Sequence, residues 1–260
     1  MFSVLGRRKN ITAKQAIPGV LLDHELGLVL HTTAKCGSGT VKEWLLGVKG
    51  IISQDDIRNH RVDAALGRSL HDYVRDPAVG LSATAADLKK YSRHYKNVII
   101  VRNPYSRVAS FYCDKILKSR NRLPALNIRS KASYPEDLTF RELVELIASI
   151  RDQDIEPHLR GQLHSRETIH FDYVVKIEQF DAHMSRLSED LNVPKLPLTL
   201  HRNKTSYAER PGEFVYDRRP DEFDREHPPA YPQFFDAELK RRVGERYRRD
   251  IEAFDYRFSG

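Results

Sequence analysis

"KNVIIVRNPYSRVASFYCDKIL", residues 96–117, decides the fold. Val98 to Val101 form an unbroken β-branched run, which a strand buried on both faces of a parallel sheet requires. Asn103 is a good helix N-cap and Pro104 suits the first helical position. Val108, Phe111, Tyr112 and Ile116 then recur at helical spacing. The unit is strand, tight turn, helix. It puts Arg102 at the carboxyl end of the strand and Ser110 about two turns into the helix. Ligand crevices of open α/β sheets lie outside those carboxyl ends. Arg102 can grip a phosphate as a fork, and Ser110 can donate to it from the helix face. Read separately, each is equally an ordinary surface residue.

A second strand–turn–helix unit lies upstream. "VLLDHELGLVLHTT", residues 20–33, reads as two short apolar strands around a turn, and residues 39–47 read as a helix with Val41, Leu45 and Leu46 on one side. Lys35, Cys36, Gly37, Ser38, Gly39 and Thr40 lie between them. Such a turn aims unpaired backbone N–H groups at one point, where an anion can bind. Ser38 and Thr40 add hydroxyl donors and Lys35 adds charge at the rim. A Walker loop places its lysine after the glycines. Here the lysine precedes them, which argues against ATP or GTP.

The remaining elements fit one α/β domain over residues 1–260. Residues 1–20 read as an N-terminal extension, 51–95 as a mixture of helix and loop, and 119–135 as a basic loop. Thr139 and Glu142 form a capping box ahead of a helical face of Phe140, Leu143, Val144, Ile147 and Ile150. "FDYVVKI", residues 171–177, is a short strand. Phe180, Met184, Leu187 and Leu191 mark a helix that stops before Pro194. The proline-rich residues 194–235 read as an extended, wrapping segment, and a last helix starts near Asp236. Alternating strands and helices predict a three-layer α/β/α sandwich with a mostly parallel central sheet.

Composition narrows the function classes. Forty per cent hydrophobic and 30% charged residues describe a soluble globular chain, and a net charge of +7 favours anionic partners. No RNA-binding, zinc-finger or helix-turn-helix signature is present, so nucleic acid is not the expected partner. Cys36 and Cys113 are too few for a disulfide framework or a zinc cluster. No apolar run approaches the ~20 residues of a membrane span, and the N-terminus lacks a signal-peptide core. The expected location is the cytoplasm. Oligomeric state leaves no trace in the sequence. Two readings are open to a basic chain with such loops: a P-loop kinase using ATP, and a non-catalytic protein that holds anionic glycan or nucleic acid.

"KCGSGTVK" (35–42) followed by "VRNPYSRVASFYCDK" (101–115) resembles the two cofactor signatures of the sulfotransferases that use 3′-phosphoadenosine 5′-phosphosulfate (PAPS). The likeness is closest to the carbohydrate branch of family 2, which includes the chondroitin 4-O-sulfotransferases. There the first loop reads K-x-G-C-T-N-W-K and the second V-R-[DE]-P-[FY]-x-R-L-x-S-x-Y-x-x-K. The first match keeps Lys35, Gly37 and Lys42 and departs at Ser38, Gly39, Thr40 and Val41. "EPHLRGQ" (156–162) is similar to the family's D-x-H-W-x-x-Q, with Leu159 in place of the tryptophan. Further likeness lies in "FDYVVKIEQFDAHMSRLSEDLNV" (171–193) and "ERYRRDIEAFDY" (245–256).

The resemblance implies a P-loop-like sulfotransferase fold and transfer of sulfate from PAPS to an acceptor hydroxyl, on a carbohydrate above all, without a metal. It implies that Lys35 and the loop from Cys36 through Gly37, Ser38, Gly39 and Thr40 hold the 5′-phosphosulfate, and that Arg102 and Ser110 hold the 3′-phosphate. Arg202, Lys204 and Thr205 are similar in placement to a late basic loop that closes over the nucleotide. Lys35 would face the oxygen on which charge develops, and His158, matching the family's histidine, would be the general base. His71, His94 and Glu43 are weaker candidates for that base. Lys42 lies beside the site or faces solvent.

Overall fold

The structure is a computed structural model that describes residues 15–118, 138–200 and 213–258. Its strands are β1 (Ala16–Asp23), β2 (Leu28–Thr32), β3 (Ser82–Thr84), β4 (Lys96–Val101) and β5 (Tyr173–Lys176). Its α-helices are α1 (Ser38–Val48), α2 (Gln54–Arg58), α3 (Val62–Leu66), α4 (Leu70–Arg75), α5 (Ala85–Tyr91), α6 (Pro104–Phe111), α7 (Phe140–Ser149), α8 (Phe180–Asp190), α9 (Ala237–Arg246) and α10 (Arg248–Ala253). The strand order is β3-β1-β2-β4-β5.

The sheet is mixed rather than mostly parallel. β2 pairs parallel with β4, and β4 with β5, but β1 runs antiparallel to both β2 and β3. The cause is connection length. A tight turn joins β1 to β2, with the Asp23 carboxylate accepting from the Leu26 N–H at 2.8 Å and Gly27 at φ 61. A short turn of this kind can only reverse the chain, whereas β2 to β4 and β4 to β5 are long crossovers through helices. β1 also begins at Ala16, inside the stretch expected to precede the domain.

Alternation along the strands sends side chains to two faces. Leu28, Leu30, Val98, Ile100 and Val175 pack with Val41, Trp44 and Leu45 of α1 and with Phe180, Met184 and Leu187 of α8. On the opposite face Ile99 and Val101 meet Phe254 and Tyr256, while Val20, Leu22 and Val29 meet Ala83 and α5. Every residue of α1 from Thr40 to Leu46 is buried, polar ones included. A second core lies beside the sheet, where α6, α7 and α9 enclose Tyr112, Phe140, Phe234 and Phe235. Phe234 and Phe235 come from the 194–235 segment, whose described residues wrap this core with short 3₁₀ turns at Pro220–Glu222 and Tyr231–Phe234.

Two helices differ from the periodicity reading. The helix after β4 changes at Tyr112 into a π-helical turn that runs to Lys118. The terminal helix breaks at Tyr247, whose hydroxyl donates to the Leu159 carbonyl at 2.7 Å.

His31 on β2 is completely buried; its Nε2 approaches Asn97 Oδ1 at 3.5 Å and the edge of its ring meets Phe171 at 5.3 Å. Burial above all, with the Arg166 charge, lowers its pKa from 6.5 to about 4. Between those values the unfolded chain binds a proton that folded His31 refuses. Stability from this group is therefore intact above pH 6.5 and declines as the pH falls toward 4, by about 3 kcal/mol in total. Urea unfolding of wild type and His31→Gln across this window checks it: the variant's unfolding free energy falls less steeply with acid, by up to one proton's worth of slope.

Candidate active site

β2 and β4 are adjacent and parallel, so the loops at their carboxyl ends, 33–37 and 102–103, emerge side by side. The first loop is tightly wound. Cys36 N–H donates back to Thr33 O at 3.2 Å, and both Lys35 (φ 66) and Gly37 (φ 68) are left-handed. Glycine adopts that conformation freely, but lysine does so at a cost of about 1–2 kcal/mol. Gly37 is the N-cap of α1 and supplies no side-chain acceptor, and the first helical turn carries no acidic residue. The N–H groups of that turn are thus open to an anion, with the helix dipole behind them. Ser38 and Gly39 are half-buried there, whereas Thr40 is buried. Gly37 is also a point of close approach: a β-carbon added there would stand 2.5 Å from Ile177 Cδ1.

The two loops are fastened together by one amide. Gln162 is 0% exposed, and its Oε1 accepts from the Arg102 backbone N–H at 2.8 Å and from the Cys36 thiol at 3.1 Å. Its Nε2 donates to the Arg102 carbonyl at 2.9 Å. Asp250 holds Gln162 in turn, accepting from its backbone N–H at 2.7 Å. Cys36 therefore serves as an anchor: its N–H is spent within the turn, and burial pushes its thiol up to about 11.

Arg107, 1% exposed, is the second fastening. Its Nε donates to Ala34 O at 3.2 Å and its Nη2 to His158 O at 2.9 Å, which ties the first loop to the His158 turn. The His158 ring lies against Phe111, with Glu156 on its Nδ1, and it is 38% exposed at the side chain. Glu156 thus occupies Nδ1, and Nε2 is the other ring nitrogen.

The cations then converge. Arg102 Nη1 donates to Lys35 O at 3.2 Å and its Nε to Ser106 Oγ at 3.0 Å. Ser110, half-buried, lies one turn beyond Ser106 on the same helix. Lys35 Nζ pairs with Asp114 Oδ2 at 3.1 Å. Lys42 points away from this cluster, toward α4: its Nζ is 2.8 Å from His71 Nδ1, and burial followed by the Arg75 charge lowers its pKa to about 8.

Lys35 and Arg102 are thus brought together, with Ser110 on the helix between Ser106 and Asp114, and His158 is linked to the first loop through Arg107. His94 is not. It precedes β4, at the end of the strand opposite Arg102, about 20 Å away. Glu43 lies buried on α1, and His71 lies on α4, engaged with Lys42. Arg202, Lys204 and Thr205 lie outside the described residues. The sequence reading missed Gln162, Arg107, Asp114 and Asp250. All four stand in quoted motifs, yet nothing local distinguishes an anchor from its neighbours. Among the described residues no group of three or more His, Cys, Asp or Glu is placed to hold a metal.

Gln162→Leu keeps the side-chain bulk and removes every bond the amide makes, leaving the buried Arg102 carbonyl and N–H without partners. The expected cost is about 2–4 kcal/mol of unfolding free energy, measured by urea denaturation.

A family model for the sulfotransferase family matches residues 18–257. No curated protein and no solved structure matches the chain. The matched span takes in both loops, the Gln162 anchor and the terminal helices, and the chain belongs to the sulfotransferase family.

Proposed function

We propose that the protein transfers the sulfuryl group of PAPS to an acceptor hydroxyl, on a carbohydrate above all, by in-line displacement that releases 3′-phosphoadenosine 5′-phosphate (PAP). Family membership supports sulfuryl transfer in general. The observation that carries the finer reading is the meeting of the two loops. Lys35 O and Nζ are each held by a residue of the second motif, at 3.2 Å by Arg102 and 3.1 Å by Asp114. We read the scaffold as a three-layer α/β/α fold of the P-loop type whose hairpin strand β1 makes its sheet mixed.

The residues present fit a phosphosulfate nucleotide. The α1 N-terminus offers N–H donors without a competing acid, and Arg102 and Lys35 supply charge. When bound, PAPS supplies an activated sulfuryl group and a phosphate leaving group. The N–H groups of Gly37 to Thr40 and the Ser38 or Thr40 hydroxyl hold the 5′ end, and Arg102 and Ser110 hold the 3′-phosphate. Lys35 stabilises charge that develops on the leaving oxygen, at little cost because the ammonium is already fixed in place. His158, oriented by Glu156 on its Nδ1, takes the acceptor's proton at Nε2. Arg202, Lys204 and Thr205 are proposed as further cation and hydroxyl contacts to the nucleotide. The family match and the position of Lys35 ahead of the glycines both favour this reading over an ATP-dependent kinase.

Thermal melting with and without PAP, together with transfer of label from PAPS to a panel of glycans and simple alcohols, tests the proposal. PAP raises the melting temperature. Lys35→Ala abolishes turnover, with a loss of at least about 100-fold, while the fold persists. Arg102→Ala mainly weakens PAP binding. Full activity in Lys35→Ala would sink the mechanism.

A further inference from the structure

Lys35 is held by more than the site's chemistry demands. Its side chain is 9% exposed, and the charged groups that face it come from two elements: Arg102 at the end of β4, and Asp114 and Lys115 on the π-helical turn that follows α6. Asp114 Oδ2 stands 3.1 Å from Lys35 Nζ and 3.2 Å from Lys115 Nζ, with its side chain 32% exposed. A carboxylate in a pocket that must receive an anion repels that anion, and so calls for a compensating role. The π turn is relevant here. Such turns widen the helix and re-aim the residues they carry, and this one begins two residues before Asp114.

We propose that Asp114 is a positioning residue for sulfuryl transfer, which holds the Lys35 ammonium charged and aimed until the donor arrives. The inference rests on the PAPS reading above. Burial lowers the Lys35 pKa, and Arg102 and Lys115 push it further the same way; only Asp114 acts against them, by its charge and its hydrogen bond. Burial works to raise the Asp114 carboxyl, but Lys35 and Lys115 outweigh it and keep it below its usual range. The two groups are placed as an ion pair, 3.1 Å apart. Three cations and one carboxylate leave the cluster with two net positive charges, suited to a dianionic group. Once that group is bound, its own charge keeps Lys35 protonated, and Asp114 becomes dispensable for that purpose. Asp114 thus acts mainly on the free enzyme.

That timing gives the test its signature. In the free protein, Lys35 reactivity toward trace acetic anhydride, read by mass spectrometry across a pH series, reports its protonation directly. In Asp114→Asn the midpoint of that profile falls by roughly one pH unit. In kinetics with PAPS, kcat/KM reports the free enzyme and kcat the complex. The alkaline limb of kcat/KM moves down by roughly one pH unit, with a loss that approaches about 10-fold above the wild-type limb and vanishes well below it, while the limb of kcat moves little. Asp114→Glu restores the limb. Asp114→Ser serves as a second neutral variant if melting shows that the asparagine variant is unfolded. Identical labelling profiles in wild type and a folded neutral variant overturn the proposal, as does an equal fall of kcat and kcat/KM at every pH. If the wild type neither binds PAP nor uses PAPS, the PAPS reading fails by itself, and the labelling comparison still decides whether Asp114 sets the charge of Lys35.

Discussion

The buried amide of Gln162 is the constraint on which the site depends. The two loops at the ends of β2 and β4 are positioned only coarsely by strand pairing, because each leaves the sheet before its key residue. Gln162 supplies the remaining precision by bonding the backbone of Arg102 on both sides and the thiol of Cys36. An amide can do this because it offers an acceptor and a donor from one planar group. Asp250, from a helix 88 residues further on, fixes the amide's own backbone. The C-terminal helices therefore contribute to the site without lining it.

Charge organises what the amide fastens. Lys35, Arg102 and Lys115 crowd one corner and Arg107 lies buried behind it, so like charges press on one another in a poorly solvated region. Such an arrangement is costly in the free protein and favourable once an anion arrives, which is how a binding site differs from a structural ion-pair network. Arg107 is tolerated because two carbonyls accept from it, those of Ala34 and His158. Through them one cation couples the anion loop to the histidine turn.

Local chemistry was readable from sequence, and long-range pairing was not. β4 and α6 are evident in residues 96–117, since an unbroken β-branched run followed by Asn-Pro has one low-energy outcome. The Thr139–Glu142 capping box appears as expected. Residues 51–95 resisted reading because α2, α3 and α4 span five or six residues each, too short for a 3.6-residue period to repeat. The mixed sheet depended on whether the 20–33 hairpin joins the parallel strands, which its own residues do not record. Arg102 was singled out from its place at a strand end and Ser110 from the helix that follows it. Gln162 escaped because its partners are 60 and 126 residues away.

The left-handed backbone at Lys35 has a further consequence. A glycine there would relax the turn and would also remove a buried positive charge, so two sources of instability would vanish together. The position is held away from its own stability optimum by what it must do. Selection of this chain for heat resistance alone would be drawn to residue 35, and would return a sturdier protein without the ammonium of its anion loop.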